Sequence, residues 1–140
     1  MDSKGDNAMT ETFNNFWQTF PTISLFNASF AEKKQIRDLI DEARKTASIA
    51  DEEAHHAATA QKARASSTDE NLTRNLTIIA VWHFERAAQK FRETGELFTK
   101  AQNFRVKESV LKHFQKKAED AARRAAECES EAQQLQTKRS

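Results

Sequence analysis

Residues 77–98 read TIIAVWHFERAAQKFRETGELF. Within them Thr77, Val81, Phe84, Ala88, Phe91, Gly95 and Phe98 follow one another in steps of four and three. That 3.5-residue repeat marks one face of a helix packed lengthwise on other helices. It is the bulkiest such face in the chain. Leu72, Leu76, Ile78, Ile79 and Trp82 extend its apolar content toward the N-terminal end, and all are read as joining the seam.

Two other segments carry matching rows built from small residues. Upstream, Ile36, Ile40, Ala43, Ala47, Ala50, Ala54 and Ala57 repeat the four-three step, with Ile49 and Ala58 beside them. Downstream the row is Leu111, Phe114, Ala118, Ala121, Ala125, Cys128, Ala132 and Leu135. Small side chains let a neighbouring helix approach closely or leave room for a large residue opposite. The aromatic middle helix therefore belongs between two alanine-rich ones.

Punctuation fixes the boundaries. Ser29-Phe-Ala-Glu32 reads as a capping box, opening a helix from about Ala31 to Ala65. Ser67 and Glu70 read as a second box, opening a helix from about Asp69 to Ala101, with Asp69 and Glu70 suited to the helix N-terminus. Gln102-Asn103 is a weak break, and a third helix is expected from about Phe104 to Gln136. Each runs to ~50 Å at 1.5 Å per residue. Short connections force antiparallel neighbours. The expected fold is all-α: three long antiparallel helices, an up-down-up bundle or antiparallel coiled coil, with an aromatic N-terminal arm. Gly95 lies on the seam, which predicts close approach of a neighbouring backbone, or alternatively a kink.

The chain of 140 residues reads as one bundle domain over 31–137, a polar, disordered N-terminus over 1–12, and an aromatic arm or short helix over 13–30. Two glycines and one proline, Pro21, leave few breaks for the turns of an all-β or α/β fold. In the arm, Phe13, Phe16, Trp17 and Phe20 share a helical face, and Ile23 and Phe26 continue the apolar content beyond Pro21. Aromatic residues dominate binding hot spots, so these six are the candidate partner-binding residues.

The formal charge is +1, which excludes a general pull toward nucleic acid or anionic membranes. Residues 1–30 carry −2 and residues 104–140 carry +3. Lys112, Lys116, Lys117, Arg123 and Arg124 interleave with Glu119, Asp120 and Glu127, and pairs such as Glu119–Arg123 make them read as a solvated face rather than a nucleic-acid footprint. No run approaches the ~18–20 apolar residues that span a bilayer, and no signal peptide is visible. Cys128 stands alone on the third seam, so it reads as a small buried apolar residue in a reducing, cytoplasmic setting.

Chemistry is thinly represented. Glu52-x-x-His55 and Glu53-x-x-His56 match the Glu-x-x-His step of di-iron bundles, but His83 and His113 have no glutamate three residues earlier. No nucleophile elbow, phosphate loop or Cys–His spacing is present. The expectation is a non-enzymatic protein with no catalytic residues, no metal and no cofactor; a metal-carboxylate bundle enzyme is the remote alternative.

Phe84-Glu-Arg-Ala-Ala-Gln-Lys-Phe91 and Glu96-Leu-Phe-Thr-Lys-Ala101 resemble the second helix of MIT domains and related TPR-type hairpins. Val110, Phe114 and Lys117-Ala-Glu119 are loosely similar to the third MIT helix, one residue out of register. The resemblance covers about 45 residues; the helices here are longer, and the acidic turn before the second helix is missing. It implies a module that takes a partner peptide or helix between its own helices. The leading expectation is a structural or adaptor protein acting by helix–helix association, as a homodimer or within a larger assembly.

Overall fold

Three helices run antiparallel in sequence: α1 (Phe30–Ser66), α2 (Glu70–Ala101) and α3 (Glu108–Arg139). The computed structural model describes residues 30–139, and among them there is no strand. The readings made for residues 1–29, including the arm with Phe13, Phe16, Trp17, Phe20, Ile23 and Phe26 and the Ser29 cap, lie outside the described residues. The architecture is the all-α three-helix bundle expected, with α2 packed along both flanking helices.

The four-three rows of α1 and α2 turn inward as read. Every member of the α1 row from Ile36 to Ala57 is buried, as is every member of the α2 row from Thr77 to Phe98. The core falls into two clusters. Toward the α1–α2 turn, Val81, Phe84, Phe91 and Leu135 are set among alanines of all three helices and Cys128. Toward the α2–α3 loop, Ile36, Ile40, Phe98, Val110 and Phe114 pack together, with the Phe98 and Phe114 rings 6.2 Å apart. Polar contacts register the helices. Arg64 Nε donates to Thr77 Oγ1 at 2.6 Å, and Gln61 Nε2 donates to Glu131 Oε2 at 3.1 Å, tying α1 to α2 and to α3.

Four local expectations need correction. The cap of α2 is Asp69, whose Oδ1 accepts from the amides of Asn71 and Leu72; Ser67 instead donates its hydroxyl to the Asp69 carbonyl. A carboxylate beside the helix dipole displaces the predicted serine box. α3 starts at Glu108, not Phe104, because Phe104 and Val106 turn inward against the lower cluster before the helix begins. Arg123 pairs with Asp120 at 3.1 Å and Glu127 at 3.9 Å rather than with Glu119. Lys117 and Arg124, read as solvated, are buried.

Gly95 lies within the unbroken α2, against α3. A Cβ there would stand 3.4 Å from the Ala118 carbonyl oxygen and 3.6 Å from the Ala121 methyl. The approach is close, yet a single methyl fits at ordinary contact. Gly95→Ala is therefore expected to stabilise the fold by about 0.5–1 kcal/mol, since glycine costs that much in a helix interior. Chemical denaturation reads this directly, and a loss of stability would mean that the helices are closer than described.

Candidate functional site

Large apolar side chains on the surface are concentrated on the first half of α2. Leu72, Ile78, Ile79 and Trp82 are all between 43% and 54% exposed. The sequence reading put them on the seam; the helix carries them away from it. At 3.6 residues per turn, Ile78, Ile79 and Trp82 project from the side opposite Phe84 and Phe91. Leu76 sits at the boundary, half-buried. On α1, Ile49 is likewise exposed. Scattered exposed apolars are ordinary; a cluster of them on one helix is the feature that makes this surface the candidate site.

The Trp82 ring is held rather than free. The Arg86 guanidinium lies 4.8 Å from its centroid, and the His83 ring meets it edge-on at 4.8 Å. Beneath this pair, Glu53 of α1 accepts from His83 Nδ1 at 2.8 Å and from Arg86 Nε at 3.3 Å. The Glu53 carboxylate therefore anchors, from the neighbouring helix, both residues that flank the indole. His56 stacks at 5.3 Å on His83 and approaches Glu52 at 3.8 Å. The Glu-x-x-His steps of α1 thus point Glu53 to α2 and leave His55 and His56 exposed. Among the described residues no group of three or more His, Cys, Asp or Glu side chains is placed to hold a metal ion.

Further along the same helix, a groove of about 500 Å³ opens between α2 and α3. Gly95, Ala118 and Ala122 floor it, and Arg92, Glu96, Thr99 and Lys100 stand around it. Arg92 is ion-paired with Glu129 of α3. Gly95 is one of the residues that line this groove as well as part of the contact between α2 and α3.

The titratable groups shifted by burial lie elsewhere: Lys117, Arg124 and Cys128 on the inner side of α3 and the half-buried Asp51 on α1. Burial pushes the Cys128 thiol up to about 12, with Glu127 adding to the effect. A thiol so held is inert as a nucleophile at neutral pH. Burial raises the Asp51 carboxyl, against the pull of His55 and Arg124. Burial also lowers the Lys117 amine to about 8 and lowers the Arg124 guanidinium. None of these lines the groove or touches the exposed strip.

Of the features singled out in the sequence, Trp82, Ile78 and Ile79 lie on this exposed side of α2, while Gly95 lies on the buried row and lines the separate groove. The sequence missed the Glu53–His83–Arg86 support, which depends on two helices meeting in one register. Among the described residues no helix is long and apolar enough to cross a membrane. No protein-family model, curated protein or solved structure matches the chain.

Proposed function

We propose that this protein is a non-enzymatic structural or adaptor component that acts by helix–helix association, binding a second copy of itself or another subunit of an assembly. The observation that carries the reading is the exposed strip of Leu72, Ile78, Ile79 and Trp82, with its central indole fixed by Arg86 and His83. Pre-set aromatic anchors lose little freedom on binding and dominate interface energetics. The aromatic arm, with Phe13, Phe16, Trp17, Phe20, Ile23 and Phe26, is proposed as a second anchor. A reducing, intracellular compartment suits the lone Cys128 thiol.

Light scattering tests this on the full chain. The expected wild-type mass is at least twice 16.0 kDa, and Ile79→Asp with Trp82→Asp should return it to a monomer with unchanged helical circular dichroism. A monomeric wild type would sink self-association. The groove floored by Gly95, Ala118 and Ala122 supports a second reading, an MIT-like or TPR-like module that takes a partner helix. That reading requires a monomer whose groove is blocked by Ala122→Phe, at an exposed position of the groove lining.

A further inference from the structure

We infer that the side of the bundle between α1 and α3 is the seat of the chain's own aromatic arm, with Phe13, Phe16, Trp17 and Phe20 laid into it as the fourth element of an up-down-up-down bundle. Self-association is not a premise of this inference. The arm has its first seat on its own bundle, and anchors a second copy only by exchange.

The seat is defined by what is dry there. α1 and α3 each pack along α2, while their own backbones hardly approach each other. Among the described residues no further helix lies over the space between them. Residues seven apart share one flank of a helix, so Lys117, Arg124 and Glu131 lie on one flank of α3. Glu131 meets Gln61 of α1, so this flank faces α1. The side chains bordering the space are nevertheless buried: Ile40, Ala47 and Ala58 of α1, and Phe114, Lys117 and Arg124 of α3. Lysine and arginine between two helices that stand apart keep their charged ends in water unless something covers them. Arg124 Nε is out of water and has no hydrogen-bond acceptor.

The arm fits this seat in length, spacing and charge. Arg124 is level with Asp51 of α1, which feels its charge. At 1.5 Å per residue that level is ~32 Å from Phe30, and Lys117, two turns nearer, is ~21 Å away. Residues 21–29 reach ~30 Å when extended, so Phe20 arrives opposite Lys117 with slack. Pro21 ends the arm's helical face at that point. Phe13 and Phe20 are seven residues apart, as are Lys117 and Arg124. Rings at both ends of the arm therefore stand opposite both cations, and an aromatic face takes a desolvated cation without offering an acceptor. A helix entering this way runs antiparallel to α1 and α3, as short connections require. The −2 of residues 1–30, with Glu11 just beyond Phe13, meets the +3 of residues 104–140. Ile78, Ile79 and Trp82, on the outward side of α2, stay exposed and are left to partners.

The test uses the full chain, with helical circular dichroism as the check on folding. Arg44 is exposed and stands seven residues before Asp51, at the level of Lys117. In a Cys128→Ala background, Thr19→Cys with Arg44→Cys should cross-link within one chain through a short bismaleimide. Thr19→Cys with Glu85→Cys, on the outward face of α2, should not. A product at twice the 16.0 kDa of the chain would put the arm on a second copy. Cross-linking to Glu85→Cys, or none to Arg44→Cys, would put it off this seat, and each of these results overturns the inference. Independently, a water-soluble acetylating reagent should modify Lys117 at least tenfold more slowly than exposed Lys112, read by peptide mass spectrometry. Trp17→Ser with Phe20→Ser should bring the two rates together, and protection that survives these substitutions in a folded chain would also overturn it. None of these results depends on the wild-type mass, so the self-association reading stands or falls separately.

Discussion

Replacing Phe84 with alanine should cost about 3–5 kcal/mol, toward the upper end of what a buried aromatic ring contributes. The reason is the company it keeps. Phe84 is 2% exposed, in a cluster of fifteen residues of which ten are alanines. Loss of a ring is partly repaired when neighbouring side chains lean into the space, and alanine has no rotamer with which to lean. The void left behind would stay largely open, bounded by methyl groups on helices whose backbones cannot close without breaking their other contacts. Against a total stability of about 5–15 kcal/mol, this is a large fraction. The expected result is a fall in Tm on the order of 10–20 °C, measured by circular dichroism at 222 nm. Phe84→Leu should fall by less than half as much, because it keeps most of the volume. A Phe84→Ala variant within about 1 kcal/mol of wild type would mean that this cluster is not the core.

That dependence on a few rings among many methyls was legible in the sequence. The four-three rows of α1 and α2 could be read because a seam residue must recur every 3.5 positions whatever its partner, and every member of both rows is buried. Gly95 was legible for the same reason: a glycine on a seam implies a neighbour at close range, and Ala118 and Ala121 of α3 are that neighbour. The readings that failed share a different cause. Ile78, Ile79 and Trp82 were assigned to the seam by their chemistry, but chemistry does not fix azimuth; their positions relative to Phe84 put them outside. Asp69 displaced Ser67 as the cap because only one side chain can fill that place, and a charged acceptor fits it better. The start of α3 shifted because Phe104 and Val106 find the lower cluster only once three helices are present. The Glu53–His83 contact, thirty residues apart in sequence, had no local trace at all.

Lys117 and Arg124 are the most instructive of these, because they were read as solvated and each is only 4% exposed. They lie seven residues apart, on the flank of the α3 row between Phe114 and Cys128. Their aliphatic stems follow that flank inward, and their charged ends are carried with them. Arg124 Nε is buried without a hydrogen-bond partner. An unsatisfied buried donor lowers stability; burial of the Lys117 amine lowers it too, and there the effect depends on pH with a definite sign. Burial lowers its amine from the ordinary 10.5 to about 8, with Lys116 and Arg124 adding to the depression and Asp120 opposing it. Below pH 8 the folded chain holds the charge at full cost. Between about 8 and 10.5 the unfolded chain binds the proton more tightly, so stability rises with pH. Cys128 acts in the opposite sense. Its thiol ordinarily titrates near 9.0 and is pushed up to about 12, so above pH 9 the unfolded chain sheds a proton that the folded chain keeps, and stability falls. The wild type should therefore gain stability from pH 8 to 9 and then level off. Cys128→Ala should extend the gain toward pH 10.5. Lys117→Met should abolish it and raise stability at pH 7 by on the order of 1–3 kcal/mol, since it removes an amine that the fold holds charged against the cost of burial. Arg124→Met should gain less, on the order of 1 kcal/mol, because it also removes a charge that opposes the upward shift of Asp51. Guanidinium denaturation at pH 7, 8, 9 and 10 on these variants decides the matter. A wild-type curve that is flat across that range, with Lys117→Met no more stable than its parent, would mean that the Lys117 amine reaches water.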